Sequence, residues 1–170
     1  MRIPDRTVAL DGNESKNLLD LPRPFFLLFL RHFGCVFCRY QVKQLRSHPE
    51  LPIVFVCMES PSEAADFKQK MGSPHRFLSD PERDLYRHFG VPEGSARQLV
   101  TLNALVGGFR ALGSGLLQGR PSADPMQLAA AFLIGESGEV AWSRTAKDVA
   151  EIFSAKDLEE ALSGLDQPKT

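Results

Sequence analysis

Apolar and polar residues along the chain predict three strands, each followed by a helix. Residues 25–30, FFLLFL, form a continuous apolar run after a proline, which is typical of a central strand buried on both faces. Residues 52–58, PIVFVCM, predict a second buried strand because they are β-branched and bounded by proline. A third, short strand is expected around Phe77. The first half of the chain therefore reads as strand and helix, repeated three times.

The first predicted helix starts at or next to Cys35. From this residue, apolar side chains repeat at helical spacing along one face. They are Cys38, Val42 and Leu45. The helix therefore begins where the first apolar run ends, which places its N-terminus at the carboxyl end of the central strand.

The next two helices carry signals of their own. In SPSE, Ser60 is a suitable N-cap and Glu63 completes a capping box around a proline at the first helical position. Asp80 and Pro81 are expected to open a third helix, which ends near Gly90.

The second half of the chain has a different pattern. Residues 92–125 are rich in glycine and arginine and read as an insertion, whereas residues 128–144 predict two strands joined by a turn at 135–138. Ser154 is expected to cap a final amphipathic helix that Gly164 closes. The whole pattern predicts a single α/β domain over residues 1–170, with a central mixed sheet, helices on both faces and the insertion before the C-terminal hairpin.

Composition narrows the class of function. The 170 residues include 43% hydrophobic residues, enough for a normal core. Lys and Arg number 20 and Asp and Glu 21, so no net field favours nucleic acid or an anionic membrane. The first residues are polar, and no apolar stretch reaches the ~18 residues of a membrane span. We expect a cytoplasmic protein that acts on a small molecule or another protein.

The candidate chemistry lies in the C-x-x-C pair, Cys35 and Cys38. A helix N-terminus offers unpaired N–H groups and the positive end of the helix dipole, which stabilise a thiolate. In such motifs the pKa of a cysteine falls to about 3.5 to 7.5. Cys35, at the very start of the helix, is expected to be the more accessible sulfur and the attacker. Cys38, one turn further on, would then be the resolving cysteine.

Other uses of the pair are weighed against the rest of the sequence. Haem attachment would require histidine after the second cysteine, where Arg39 stands. A structural zinc site would need two further ligands, and Cys57 is isolated in an apolar strand as an expected core residue. Histidines that could be recruited are His32, His48, His75 and His88. Zinc and a silent pair of buried thiols stay as alternatives, and we predict no cofactor and no metal.

Three segments carry a resemblance to a known family. They are FLRHFGCVFCRYQ at 29–41, LSDPERDLYRHFGV at 78–91, and the glycine-rich segment with its hairpin at 107–144. Over residues 20–163 the chain resembles the peroxiredoxin-like 2 branch of the alkyl hydroperoxide reductase and thiol-specific antioxidant (AhpC/TSA) family, within the thioredoxin-like superfamily. The resemblance implies a thioredoxin-like fold and an antioxidant oxidoreductase. It also implies that the pair Cys35 and Cys38 is oxidised by a peroxide or disulfide and regenerated by an external thiol of thioredoxin or glutathione type.

The chain also departs from the motif of that family. Peroxiredoxins usually have P-x-x-x-T/S-x-x-C, and here Cys38 takes the place of the attacking cysteine, Cys35 that of the hydroxyl and Arg31 that of the proline. The resemblance thus makes Cys38 the attacker, whereas helix geometry favours Cys35. Arg144, at the end of the hairpin, is either a peroxide contact or a surface residue. Pro125 stands too early to match the cis-proline of thioredoxins.

Three functional hypotheses follow from these features. The first is peroxide reduction in which Cys35 and Cys38 cycle between dithiol and disulfide. The second is thiol–disulfide exchange with a protein partner, which requires an exposed Cys35. The third is a binding module in which the pair senses redox state or is silent. The sequence specifies neither the substrate and reductant nor the oligomeric state.

Overall fold

The computed structural model describes residues 1–94 and 126–166, together with residues 113, 115 and 119. These residues form one seven-stranded sheet with α-helices packed against it. The strands are β1 (Thr7–Leu10), β2 (Glu14–Asn17), β3 (Phe25–Phe29), β4 (Ile53–Cys57), β5 (Arg76–Ser79), β6 (Ala130–Ile134) and β7 (Val140–Thr145). The helices are α1 (Val36–Leu45), α2 (Pro61–Met71), α3 (Asp84–His88) and α4 (Ala155–Ser163).

The sheet is mixed, as the sequence predicts, and its strand order is β2-β1-β5-β4-β3-β6-β7. Strands β3, β4 and β5 are parallel, while β6 pairs antiparallel with β3 and β7 pairs antiparallel with β6. In this register Phe29 lies between Val56 and Ala130. The last residues of β3 and the first residues of β6 therefore meet at the same edge of the sheet.

Strand β3 is buried on both faces, which confirms its prediction as a central strand. Phe26 and Leu28 belong to a core shared with α1, α2 and α4. Phe25, Leu27 and Phe29 point to the opposite core, which includes residues of α3 and the N-terminal segment. Because neighbouring side chains of a strand alternate between faces, a run without polar residues suits this position. The predicted arrangement of helices on both faces is confirmed.

The sequence reading missed the first two strands, β1 and β2. A turn with Asp11 and Gly12 at positive φ joins them, a common device in tight hairpins. The Asp11 carboxylate also accepts hydrogen bonds from Lys68 Nζ at 2.9 Å, Arg76 Nε at 3.0 Å and the N–H of Phe77 at 2.9 Å. The dipeptide Asp-Gly was the available signal for this hairpin, and contacts with α2 and β5 fix its place.

The structure confirms both predicted N-caps, Ser60 and Ser154, and each is part of a complete capping box. At α2, Ser60 accepts from the N–H of Glu63, whose carboxylate in turn accepts from the N–H of Ser60. At α4, Ser154 and Asp157 make the same reciprocal pair. Gly72 ends α2 in the left-handed conformation that favours glycine.

The third helix is shorter than predicted. It begins at Asp84, three residues beyond Pro81, and ends before Gly90. Asp80 still serves its start, because its carboxylate accepts hydrogen bonds from the N–H groups of Asp84 at 3.2 Å and Leu85 at 2.8 Å. Asp80 therefore lies four residues before the first residue of α3, and not directly before it as the sequence pattern predicts.

The predicted hairpin is present as β6 and β7, joined by residues 135–139. Most of the predicted insertion at 92–125 lies outside the described residues. No helix of the described residues is long and apolar enough to cross a membrane.

Candidate active site

The two cysteines lie where β3 delivers the chain to α1. Cys35 is the N-cap of α1 and Cys38 lies in its first turn, which confirms the predicted start of the helix. A tight loop connects strand and helix, in which the N–H of Cys35 donates to the carbonyl oxygen of His32 at 3.1 Å. The start of α1 thus faces the carboxyl end of the central strand, where open α/β sheets place their sites.

Arg31, in the same loop, contacts both sulfur atoms. Its Nη1 donates to Cys35 Sγ at 3.1 Å, and its main-chain N–H donates to Cys38 Sγ at 3.3 Å. Its Nε donates to the carbonyl oxygen of Gln127 at 2.8 Å. The residue is 6% exposed, so the guanidinium is held away from solvent. A buried positive charge beside a thiol favours the thiolate.

The surroundings shift the pKa values of the two cysteines in opposite directions. A hydrogen bond from Cys38, the charge of Arg31 and the N–H groups of Cys38 and Phe37 lower the pKa of Cys35 from 9.0 to about 6, against the effect of burial. The same hydrogen bond to Cys35, together with burial, raises the pKa of Cys38. At neutral pH Cys35 is therefore the thiolate and Cys38 the thiol that donates to it.

The expected difference in accessibility is not found. Cys35 is 1% exposed and Cys38 is 4% exposed, so the prediction that Cys35 is the more accessible sulfur is wrong. His32, in the loop before them, is also buried. In the same loop Phe33 packs against Phe67 of α2 with ring centroids 3.9 Å apart.

Gln127 completes the polar surroundings of Arg31, and the sequence reading missed it. Its side chain is fully buried, and its Nε2 donates to the carbonyl oxygen of Pro92 at 2.9 Å. A polar residue directly before an apolar strand was the available signal. Its contact with Arg31 joins residues far apart in sequence, which only the pairing of β3 with β6 brings together.

Beside Cys38, α1 packs against residues 149–153. Gln41 holds this segment through two hydrogen bonds with the main chain of Phe153, each of 2.6 Å. A narrow crevice between the helix and the segment is lined mainly by apolar side chains, with Arg31 and Cys38 among its lining residues. The crevice beside Cys38 is therefore mainly apolar, with Arg31, Gln41 and Glu151 among its polar lining residues.

Arg144 and Cys57 each have partners other than the two cysteines of the pair. Arg144 forms ion pairs with Asp157 at 2.9 Å and Glu151 at 3.2 Å, and its guanidinium lies over the ring of Phe153. Cys57 is fully buried in β4 and its Sγ donates to the carbonyl oxygen of Leu78 at 3.3 Å. Burial raises the pKa of this thiol, which fits the core residue expected from sequence.

Candidate metal ligands group at a different place. In the described ranges, His48, Glu50 and Glu159 bring three ligand atoms within 4.8 Å of one another at the surface. Neither Cys35 nor Cys38 belongs to this group.

A dithiol at the N-terminus of a helix, at the carboxyl end of the central strand of this sheet, defines a thioredoxin-like thiol oxidoreductase. The sequence model of the AhpC/TSA antioxidant enzyme family matches residues 39–148, and the chain belongs to this family. It is a peroxidase-type oxidoreductase with a thiol peroxidase function. The family implies a peroxide as substrate and a thiol reductant of thioredoxin type as partner.

Solved structures of peroxiredoxins share the fold. A thiol peroxidase from Chromobacterium violaceum is 21% identical, with a TM-score of 0.61 over 98% of this chain and 87% of that one. The AhpC of Enterococcus faecalis is 17% identical, with a TM-score of 0.67 over 97% and 90%. A mutant of PrxQ from Xylella fastidiosa is 17% identical, with a TM-score of 0.62 over 97% and 92%. No curated protein matches the sequence.

Proposed function

We propose that this chain reduces peroxides with Cys35 as the attacking cysteine and Cys38 as the resolving cysteine. The observation that carries the proposal is the hydrogen bond of 3.1 Å from the buried guanidinium of Arg31 to Cys35 Sγ. Arginine keeps its charge at any physiological pH and supplies several donors in a fixed plane. Together with the S–H of Cys38, it lowers the pKa of Cys35 to about 6. A thiolate is the nucleophilic form of cysteine.

In the first step, the Cys35 thiolate attacks the distal oxygen of a hydroperoxide, R–O–O–H. The S–O bond forms and the O–O bond breaks, with the electron pair leaving on the alkoxide oxygen, which takes up a proton to become the alcohol. Cys35 is oxidised to a sulfenic acid. The charge of Arg31 lies where negative charge moves from sulfur to the leaving oxygen, so it stabilises both ends of the reaction path.

The second step uses the coupling of the two thiols. While Cys35 is a thiolate, its hydrogen bond and charge raise the pKa of Cys38. Oxidation of Cys35 removes that charge, so Cys38 loses its proton more readily and attacks the sulfenic sulfur. An S–S bond forms and water leaves. An external thiol of thioredoxin or glutathione type then supplies the two electrons that restore the dithiol.

Peroxide reduction has more support than exchange with a protein disulfide. The chain belongs to a family of peroxidase-type enzymes, and Cys35, the proposed attacker, is 1% exposed. A hydroperoxide is small and needs only a short path to the sulfur. The peroxiredoxin hydroxyl that the motif lacks at Cys35 is replaced in this site by donors from Arg31.

The test is the intact mass of the fully reduced chain over time after addition of a small excess of hydrogen peroxide. We expect rapid loss of two hydrogens in the wild type. Cys38→Ser should retain the attacker and form an adduct with a sulfenic-acid reagent such as dimedone, whereas Cys35→Ser should not. A sulfenic adduct in Cys35→Ser alone would reverse the two roles. A wild type that stays reduced under peroxide would refute the proposal.

A further inference from the structure

The crevice between α1 and residues 149–153 borders Cys38 and is very small. Cys38 lines it together with Arg31, whereas Cys35 is not among its described lining residues. The open space inside is about 10 Å³, which is room for one water molecule. A thiol that carries carbon atoms is larger than water, so it can approach Cys38 by this path only if one wall of the crevice moves.

One wall differs from the others in how it is held. Residues 149–153, between β7 and α4, are neither helix nor strand, whereas the other walls come from α1, from β3 and from the residue before β6. Gln41 of α1 is 4% exposed, and its amide accepts from the N–H of Phe153 and donates to the carbonyl oxygen of Phe153, each at 2.6 Å. A segment without helix or ladder hydrogen bonds opens more easily than its surroundings. Gln41 therefore ties down the wall that is most able to move.

The chemistry of the pair favours attack from the same side. A thiolate cleaves a disulfide fastest when the sulfur that leaves has the lower pKa. In the reduced chain that sulfur is Cys35, because Arg31 and the start of α1 lower its pKa to about 6, whereas the pKa of Cys38 is raised. An external thiol that attacks Cys38 therefore expels the sulfur that this site stabilises as an anion.

We propose that residues 149–153 form a gate through which the external thiol reaches Cys38 of the oxidised pair, and that Gln41 is the latch of this gate. The inference rests on the proposed function, which supplies the disulfide. The incoming thiolate, R–S⁻, forms a bond to Cys38 Sγ, the bond between the two cysteines breaks, and Cys35 leaves as the thiolate beside Arg31. A second R–S⁻ attacks the R sulfur of the mixed disulfide. R–S–S–R then leaves, and Cys38 takes up a proton.

The test compares a small and a large thiol in the reduction of the oxidised full chain. Diamide is used to form the disulfide, so that the experiment does not depend on peroxide turnover, and intact mass follows the reduction. Hydrosulfide is the small thiol and glutathione the large one. Gln41→Met keeps the length of the side chain and removes both hydrogen bonds to Phe153. The ratio of the glutathione rate to the hydrosulfide rate should rise about tenfold or more, the equivalent of two hydrogen bonds.

The control is Ser60→Ala, which removes the N-cap of α2 and lowers stability without touching the gate. It should leave the ratio of the two rates at the wild-type value. If the ratio rises in Ser60→Ala as much as in Gln41→Met, general loosening of the fold explains the effect and the inference is overturned. An unchanged ratio in Gln41→Met would overturn it too, whether the two rates stay the same or rise together.

The sulfur that the thiol attacks is identified from the mixed disulfide. Oxidised wild type is treated briefly with glutathione, the freed thiol is blocked with iodoacetamide, and fragmentation of the tryptic peptide 32–39 locates both groups. We expect glutathione on Cys38 and the alkyl group on Cys35, and the reverse would contradict the inference. A wild type that diamide oxidises and hydrogen peroxide does not would instead refute the proposed function, while the thiol series would still decide the inference.

Discussion

The helices α1 and α2 start side by side above parallel strands, and their first turns are built differently. At α2, Ser60 and Glu63 satisfy the free N–H groups with oxygen atoms. At α1, the N-cap is Cys35, no acidic side chain lies in the first turn, and the N–H groups of Phe37 and Cys38 help to lower the pKa of the sulfur. A helix start that is closed by side-chain oxygens is stable and inert, whereas one that is left to a sulfur can hold a reactive anion.

Two cysteines at the carboxyl ends of neighbouring strands, Cys35 after β3 and Cys57 at the end of β4, show the same contrast. Cys57, at the end of β4, lies among apolar residues and near Glu59, and both surroundings raise the pKa of its thiol. Cys35, after β3, is equally buried but lies beside Arg31. Burial alone therefore does not decide whether a thiol reacts, because the sign of the nearest charge determines which form is stable.

The largest effect should come from exchanging the attacking sulfur, that of Cys35, for oxygen. Cys35→Ser should lower the rate of oxidation by hydrogen peroxide by at least about 1,000-fold, because a serine hydroxyl is not ionised at neutral pH. Cys57→Ala should leave this rate at the wild-type value. Stopped-flow or competition kinetics on reduced protein would measure both. Equal losses in the two variants would mean that position relative to α1 does not matter.

Removal of the charge beside Cys35 should have the next largest effect. Arg31→Met should raise the pKa of Cys35 and lower the peroxide rate at neutral pH by about 100-fold, in the range seen when one transition-state donor is lost. The thiolate absorbance of the reduced protein against pH would report the pKa. Arg144→Met removes a cation paired with Asp157 and Glu151 and should leave the pKa of Cys35 in place. An unchanged pKa in Arg31→Met would contradict the role given to the guanidinium.

The pH dependence of the wild type follows from the same contact. The pKa of Cys35 is about 6, so the thiolate forms as pH rises through that value and the peroxide rate levels off above it. Below it, the rate should fall about tenfold per pH unit. Alkylation of Cys35 by iodoacetamide should show the same midpoint. A midpoint near the ordinary value of 9.0 would show that α1 and Arg31 do not stabilise the anion.

The smallest effect should come from substitution of the N-cap of α2, a helix start that has no cysteine. Ser60→Ala should lower the free energy of unfolding by about 1 kcal/mol, the usual cost of losing an N-cap. Ser154→Ala, in the matching capping box of α4, should cost a similar amount. Urea unfolding of the Cys35→Ser background would avoid oxidation during the measurement. Neither substitution should change the peroxide rate in the otherwise native chain, since neither serine contacts the cysteine pair.

Much of the fold could be predicted because its signals are local. The apolar run of β3, the capping box of Ser60 and the glycine-bounded hairpin each occupy a few residues, and the structure has them as expected. One error depends on contacts over a distance, since strands β1 and β2 are held by Asp11 against α2 and β5. The other is local, because the turn after Asp80 delays the start of the third helix to Asp84.

The candidate site likewise has one part that the sequence predicted and one part that only the structure shows. The spacing of Cys35 and Cys38 at a predicted helix start was sufficient to identify the pair. The sequence analysis placed Arg31 only at the position of the family's proline and assigned no role to Gln127, since 96 residues separate them. Their hydrogen bond exists because β6 runs antiparallel beside β3 and brings the two loops to one edge of the sheet.

The sequence by itself therefore determined where strand β3 and helices α1, α2 and α4 begin and that a cysteine pair stands at a helix N-terminus, because periodicity and capping act within one or two turns. Only the tertiary structure decided that both thiols are buried, that Arg31 lies on Cys35, and that Arg144 pairs with acidic residues instead. Each of these depends on which elements become neighbours in the sheet. Reactivity is set by those neighbours, because the pKa of a thiol depends on charges and donors a few ångströms away, whatever their distance along the chain.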